Sequence, residues 1–165
     1  RIMGAIMAGI IMAGRTGASY AATIGTMQVN EEVDALKTLG FNVSDFLILP
    51  RLLSLVLVMP FLTMLANIMG IIGGGTVAIF MLDIAPQQYV NFSVEAFGLN
   101  NFLVGLFHGL VYGVIISASG CYYGISCGRN ADSVGLATTK AVVSSIVIMI
   151  VATGIITWAC QVMGI

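Results

Sequence analysis

Residues 25–51, GTMQVNEEVDALKTLGFNVSDFLILPR, form the first long polar stretch of this chain and lie between two long apolar segments. The stretch holds four of the seven acidic residues and two of the six basic residues. The flanking segments, 2–27 and 52–82, contain one charged residue between them, Arg15. Because about 20 apolar residues suffice to cross a bilayer, this pattern predicts two membrane spans joined by a short water-exposed connection.

A short amphipathic helix is predicted inside this connection. Asn30 is a favourable helix cap, and the acidic residues at 31–32 would lie in the first turn, where the helix dipole favours negative charge. Gly40 is a natural end for such a helix. Apolar residues recur at every third position from Val33 to Leu39, which predicts a helix of about ten residues with one apolar face.

The composition of the chain excludes an ordinary soluble domain. Of its 165 residues, 59% are hydrophobic and only 8% are charged, whereas soluble domains carry about 25% charged residues. Most of the surface must therefore be solvated by lipid. The net charge of −1 provides no basic surface for nucleic acid.

The apolar segments predict an all-α, polytopic helical bundle in the membrane. Four spans are predicted, at 2–27, 52–82, 102–120 and 141–164. Pro60 and the glycines at 73–75 interrupt the second segment, which we interpret as one bent span. Residues 41–48 are expected to re-enter the membrane before it. Thr138 or Thr139 is expected to cap the last span.

The distribution of basic residues predicts the orientation of the spans. The polar stretches at 28–51 and 121–140 each hold two basic residues, whereas the polar loop at 83–101 holds none. Since basic loops remain in the cytoplasm, the first two stretches are expected to face inward and the third outward. The basic residues assigned a structural role at the cytoplasmic ends are Arg15, Arg51, Arg129 and Lys140.

Arg15 interrupts the first apolar segment and has two interpretations. It can anchor the helix at the membrane interface by binding lipid phosphate. Alternatively, it can form a structural ion pair with Glu31, Glu32 or Asp132. Both interpretations give Arg15 an architectural role.

The sequence contains no recognisable catalytic or metal-binding motif. There is a single histidine, so a Ser/His/Asp set would have to use His108, and no carboxylate pair lies inside a span. The glycines at 73–75 lack the Lys-Ser/Thr of a phosphate-binding loop. The three cysteines, Cys121, Cys127 and Cys160, have no metal-ligand spacing. The chain is therefore predicted not to be an enzyme and to bind no metal or cofactor itself.

Two blocks of sequence resemble the MlaE/YrbE family, the permease subunits of MCE-type lipid ABC transporters. The first block comprises GRTGA at 14–18, IGTM at 24–27, EEVDALKTLG at 31–40 and LPR at 49–51; the second comprises GCY at 120–122 and VGLATTKAVV at 134–143. The blocks occur in the family's order, and the resemblance covers nearly the whole chain.

The resemblance implies a single transmembrane permease domain over 1–165, preceded in the family by a further N-terminal portion. It implies a multi-pass homodimer in the inner membrane, with two cytoplasmic ATPase subunits that bind ATP and Mg. A periplasmic MCE protein would lie on the other side. The transported substrate would be a lipid, most often a phospholipid.

The resemblance also gives the helix at 31–40 a function, which is coupling to the ATPase. The residues predicted to make this contact are Glu31, Glu32, Asp34, Leu36, Lys37 and Leu39. The simpler interpretation is a solvated interfacial helix that only stiffens the connection. Under the coupling interpretation, charge reversal at Glu31, Glu32 or Asp34 is expected to weaken ATPase association.

The lipid cavity is where this chain departs from the family pattern. The candidate cavity residues are Arg1, Ile2, His108 and Thr153. The family often has a glutamate at position 2, a lysine at 108 and an aspartate at 153. His108 is either a polar contact in the cavity or a packing residue satisfied by a backbone carbonyl. Either the chain handles a less charged lipid or these charges are not essential for transport.

Two other functions are compatible with the sequence. One is a membrane scaffold or passive channel that anchors an MCE complex without driving transport. The other, a lipid-modifying enzyme in the membrane, is disfavoured because no catalytic residues are apparent.

Overall fold

The computed structural model describes residues 2–82, 84–96 and 98–163, and the secondary structure within these ranges is helical. The helices are α1 (Met3–Met12), α2 (Ala18–Val29), α3 (Glu32–Thr38), α4 (Leu49–Met81), α5 (Pro86–Ala96), α6 (Leu99–Ile125) and α7 (Ala131–Val162). Two π-helical segments, Ala13–Gly17 and Ser44–Ile48, directly precede α2 and α4. The predicted all-α class is confirmed.

Three helices in the described part of the chain are long and apolar enough to cross a membrane: Ser44–Met81, Asn101–Ile125 and Ala131–Val162. They correspond to the second, third and fourth predicted spans. The first predicted span, 2–27, is not among these three. It is nevertheless helical from Met3 to Val29, because α1, the π-helical segment and α2 follow one another directly.

Helix α4 continues through both features that interrupt its sequence, as the single-span interpretation predicted. Pro60 lies inside the helix, and the glycines at 73–75 do not end it. Tyr89 of α5 explains the glycines. A Cβ atom on Gly75 would lie 3.0 Å from Cε1 of the Tyr89 ring, and the Tyr89 hydroxyl donates a hydrogen bond to the Ile71 carbonyl at 2.8 Å. Gly74 and Gly75 therefore make room for the Tyr89 side chain, whereas Gly73 faces open space.

Two predicted loops are largely helical. The polar stretch 83–101 contains α5, and α7 begins at Ala131 rather than at residue 141. The capping role predicted for Thr138 or Thr139 is wrong, because both hydroxyls donate to carbonyls within α7, with Gly135 accepting from each. Polar residues near the ends of these long helices satisfy hydrogen bonds within the helix, so polarity alone misplaced the helix ends.

Helix α6 lies at the centre of the bundle. Its residues Tyr112 and Ile116 are fully buried with Ala5 of α1, Met59 of α4 and Met149 of α7. The π-helical segment Ala13–Gly17 and helix α4 contact α6 through glycine, since a Cβ atom at Gly120 would lie 2.9 Å from the Gly17 carbonyl oxygen. One at Gly113 would lie 3.1 Å from the Val56 Cα atom. Such backbone contacts are typical of membrane helices.

Candidate functional site

The predicted amphipathic helix exists, but it begins one residue late. Helix α3 covers Glu32–Thr38, and Glu31 precedes it in a left-handed conformation with φ of 59°. The prediction that Asn30 caps this helix is wrong, because α2 extends to Val29 and Asn30 ends it. The chain then reverses direction at Glu31. Gly40, with φ of 82°, terminates the turn after α3, as predicted.

The apolar face of α3 divides into a buried and an exposed part. Val33 is fully buried, and Leu36 packs against the cluster of Ile24, Leu47 and Cys121. Leu39, by contrast, is 71% exposed. Leu36 and Leu39 therefore cannot both make the same kind of contact with a partner.

An exposed apolar surface follows α3. Besides Leu39, Phe41 and Phe46 are 54% and 59% exposed, and their ring centroids lie 5.9 Å apart. We call Leu39, Phe41 and Phe46 the apolar tip. Large exposed apolar groups beside polar residues mark contacts with proteins or membrane. Residues 41–48 were expected to re-enter the membrane, and Ser44–Ile48 do form the start of the apolar helix Ser44–Met81. Phe46 therefore lies at the beginning of that helix and Phe41 before it.

The charged residues of α3 are joined to the turn between α6 and α7. Arg129 Nη2 lies 2.8 Å from Asp34 Oδ2, and Arg129 Nη1 lies 3.8 Å from Glu31 Oε1. Lys37 pairs with Asp34 at 3.1 Å, while Glu32 contacts only the Asn30 amide, at 3.4 Å, within the described residues. All these ion pairs are solvent-exposed, so each contributes about 1 kcal/mol or less. They place both basic stretches at one end of the bundle, as the orientation argument requires.

Among the described residues, Arg15, Arg51 and Lys140 take no part in the ion pairs of α3. Arg15 is exposed, and within the described part of the chain it makes none of the ion pairs proposed for it. This agrees with the interfacial-anchor interpretation. The Arg51 guanidinium lies over the Tyr20 ring, 5.8 Å from its centroid, and so connects α4 to α2. Lys140 is exposed on α7.

His108 is fully buried in α6, and the geometry determines where its proton lies. Nδ1 is 2.8 Å from the Val104 carbonyl oxygen, and since a carbonyl can only accept, Nδ1 must carry the hydrogen. Nε2 has no partner in the described residues. The ring meets Tyr112 edge-on at 5.9 Å. The Nδ1 bond to a backbone carbonyl fits the packing interpretation of His108. The unpartnered Nε2 leaves the polar-contact interpretation open.

A groove of about 410 Å³ lies between α1 and α7. Its lining residues are Ile6, Ile10, Met149, Ile150, Thr153, Gly154, Thr157, Trp158 and Gln161. Of the predicted lipid-cavity residues, only Thr153 lines it. Ile2 and His108 do not, and Arg1 lies outside the described residues. Thr157, Trp158 and Gln161 also line it, although no sequence motif distinguishes them.

Thr153 also connects the groove to the interior of the bundle. Its hydroxyl donates to the Met149 carbonyl at 2.7 Å and lies 2.6 Å from the Tyr112 hydroxyl. Because Thr153 has one hydrogen and Met149 can only accept it, Tyr112 is the donor to Thr153. This bond joins α6 to α7 at the groove.

Long apolar helices with a charged helix at one end are typical of a polytopic helical membrane protein. The chain belongs to the permease MlaE family, whose sequence pattern matches residues 1–159. The family recognised in the sequence is therefore confirmed.

Individual relatives agree with this assignment. A probable ABC transporter permease of Rickettsia typhi is 39% identical over 157 residues, which cover 95% of this chain and 61% of the relative. A probable ABC transporter permease of Synechocystis is 36% identical over 96% of this chain and 60% of its own length. The Arabidopsis thaliana chloroplast protein TRIGALACTOSYLDIACYLGLYCEROL 1 is 32% identical over 92% of this chain and 43% of its own. The chain thus spans about 60% of the length of these bacterial relatives.

Proposed function

We propose that this chain is the permease part of an ATP-driven lipid transporter of the MCE type, acting as a homodimer in the inner membrane. The observation that carries the proposal is helix α3, a water-exposed charged helix between two helical membrane segments of a chain in the MlaE family. Two cytoplasmic ATPase subunits would bind at α3. A periplasmic MCE protein would exchange lipid with the permease on the opposite side.

The apolar tip is the best candidate for the strongest contact with the ATPase. Glu31 and Asp34 already face Arg129 within the chain, whereas the tip residues Leu39, Phe41 and Phe46 are exposed. Burying large apolar side chains contributes about 1.5–3 kcal/mol each, more than an exposed ion pair. The acidic residues then orient the helix, and Glu32 remains available to a partner.

Coupling would reach the membrane helices by two routes. Helix α3 joins α2 to α4 along the chain, and Arg129 joins it to the turn between α6 and α7. Closure of the ATPases on ATP would therefore move both pairs of helices and reshape a lipid cavity at the dimer interface. The energy would come from the different affinities of nucleotide for the two states. ATP and Mg would be bound by the ATPase, not by this chain.

Lipid is the substrate class that the molecule supports best. The groove beside α1 is mostly apolar, and α7 adds a few hydroxyl and amide groups to its lining. Such a lining suits an amphipathic ligand. The Arabidopsis relative is named for a galactolipid. Moving such a molecule requires a protected path through the membrane, which a scaffold would not need.

The proposal is tested on the transporter complex purified through the permease. The triple variant L39S/F41S/F46S is expected to lose most co-purifying ATPase, and charge reversal at Glu32 to lose less. Leu53→Ser, an exposed α4 residue away from the tip, is the matched control. In a second measurement, ATP hydrolysis by the purified complex should rise when lipid is added. ATPase binding that is unchanged in the triple variant would refute the docking site, and hydrolysis indifferent to lipid would favour the scaffold.

A further inference from the structure

A second groove, also of about 410 Å³, lies between α6 and α7. Its polar lining residues are Tyr123 of α6 and Thr139, Lys140 and Ser144 of α7. Tyr123 belongs to the last turn of α6, so the groove lies toward the end of the bundle where Arg129 meets α3. It shares no lining residue with the groove between α1 and α7.

Lys140 lies where the lipid headgroups meet the hydrocarbon of the membrane. From Ala141 to its end at Val162, helix α7 carries no charged residue. At 1.5 Å per residue this uncharged part is about 33 Å long, which matches a hydrocarbon core of roughly 30 Å. Lys140 directly precedes it and is therefore level with the headgroups of one leaflet. The orientation given by the basic loops makes this the cytoplasmic leaflet.

The Lys140 ammonium group is exposed and has no counter-charge. Within the described residues it takes part in none of the ion pairs. Asp83, the one acidic residue outside the described ranges, belongs to the loop that is expected to face outward. A lysine at this level of a membrane helix carries its charge to the headgroup region. The groove therefore offers a cation to a negatively charged group of the membrane.

Two hydroxyl groups of the groove also lack hydrogen-bond partners. Ser144 lies one turn beyond Lys140 on the same face of α7, and within the described part of the chain neither its hydroxyl nor that of Tyr123 makes a hydrogen bond. Thr139 and Ser145, by contrast, donate to carbonyls of α7. The groove thus brings together an ammonium group and two O–H donors, and a phosphate group accepts from both kinds of donor.

The rest of the lining is apolar and continues the groove into the membrane. It consists of three exposed side chains of α7, Val143, Val147 and Ile148. Val147 lies seven residues beyond Lys140, about 10 Å deeper in the hydrocarbon. A soluble anion would leave these side chains uncovered, whereas a lipid whose phosphate binds Lys140 would lay an acyl chain along them.

We propose that this groove binds a phospholipid of the cytoplasmic leaflet whose headgroup carries a net negative charge. Lys140, Tyr123 and Ser144 donate to its phosphate, and the apolar side chains contact an acyl chain. Basic pockets between membrane helices on the cytoplasmic side generally bind anionic headgroups in this way. The bound lipid connects α6 to α7 as a resident ligand. This site goes beyond the proposed function, because it holds a lipid that is not the transported substrate.

The test uses the purified transporter in detergent with two lipids of identical acyl chains. Phosphatidylglycerol is anionic, whereas phosphatidylcholine carries its own cation beside the phosphate. Native mass spectrometry measures which lipid is retained, and the native protein is expected to prefer phosphatidylglycerol. Lys140→Gln should lower this preference about tenfold, because it removes the cation, while Lys140→Arg should keep most of it. Ser144→Ala should lower it about threefold, and Ser54→Ala, exposed on α4 outside the groove, should leave it unchanged.

Three outcomes would overturn the inference. The first is equal retention of the two lipids by the native protein, or an undiminished preference in Lys140→Gln. The second is displacement of phosphatidylglycerol by soluble glycerol phosphate, which would mean that the site recognises a free anion. The third is efficient cross-linking of two copies through Val147→Cys, which would mean that a second copy covers the groove. Native elution and melting temperature are checked first for each variant. The proposed function fails separately, through ATP hydrolysis that does not respond to lipid.

Discussion

The contact of α2 with α6 and the contact of α1 with α7 show two ways of packing helices in one bundle. Between α2 and α6, glycine brings the helices together so closely that a Cβ atom at Gly124 would lie 2.7 Å from that of Ile24. Between α1 and α7, contact is made at Gly9 and Met149, and beyond it the helices leave a groove of about 410 Å³. Glycine makes the close contact at both interfaces, but only the contact of α1 with α7 opens into a groove further along the helices.

The largest expected effect comes from breaking the close packing on α6 where the π-helical segment Ala13–Gly17, which leads into α2, meets it. Gly120→Ala places a methyl group 2.9 Å from the Gly17 carbonyl oxygen, a backbone atom that cannot rotate away. We expect destabilisation of about 1–3 kcal/mol, measured as a lower melting temperature in detergent. The matched control is Gly154→Ala in α7, where no atom lies within 4 Å, and its stability should be unchanged or slightly increased. Equal stabilities of the two variants would refute the distinction between the interfaces.

Filling the groove tests whether a ligand occupies the space between α1 and α7. Gly154→Leu adds a large apolar group at a groove position with free space around it. We expect a severalfold loss of co-purifying lipid with little change in melting temperature, because the leucine occupies the ligand's volume. Lipid is quantified by mass spectrometry after extraction, with Gly135→Leu on the same helix as the control. Undiminished lipid would mean that the groove is not occupied.

A smaller effect is expected from the bond that joins α6 to α7 beside the groove. Tyr112→Phe removes the donor to Thr153 but keeps the buried ring. The loss should be about 1 kcal/mol in a denaturation measurement. Tyr122→Phe, on the same helix and 66% exposed, should cost nothing measurable. A Tyr112→Phe variant as stable as the native protein would show that the bond does not hold the groove wall.

The smallest change in stability is expected at the charged end. Arg129→Ala removes both contacts to α3, but the arginine side chain is 63% exposed, so the loss should be a few tenths of a kcal/mol. Lipid-stimulated ATP hydrolysis should decrease more than stability does, because the turn between α6 and α7 would no longer follow α3. The exchanged pair D34R/R129D should restore part of the hydrolysis. If the exchanged variant folds but does not recover ATP hydrolysis, this coupling route is excluded.

Local patterns were sufficient for the class of protein and for the existence of α3. The end of the short helix at Gly40 was predicted correctly, because that residue's conformation depends on its own backbone freedom. The start of the helix was misplaced because Asn30 is equally suited to end α2. The start of α7 and the presence of α5 were also missed. Polar residues there satisfy hydrogen bonds inside helices, so polarity did not indicate a loop.

The candidate site was predicted less completely than the fold. Thr153 was selected from the family pattern and does line the groove, but its neighbours Thr157 and Gln161 have no motif to distinguish them. Leu36 and Leu39 share the predicted apolar spacing, yet one is packed and the other exposed. Which residue of an amphipathic helix is covered depends on what lies beside it.

The sequence by itself determined that this chain is an all-α membrane protein of a permease family with a charged helix between apolar segments. These properties depend on composition, on periodicity and on motifs within short windows. Only the tertiary structure decided that Arg129 meets Asp34, that Tyr112 meets Thr153 and that α1 and α7 leave a groove. Each of these brings together residues far apart in the chain, and such contacts depend on how whole helices pack rather than on any local preference.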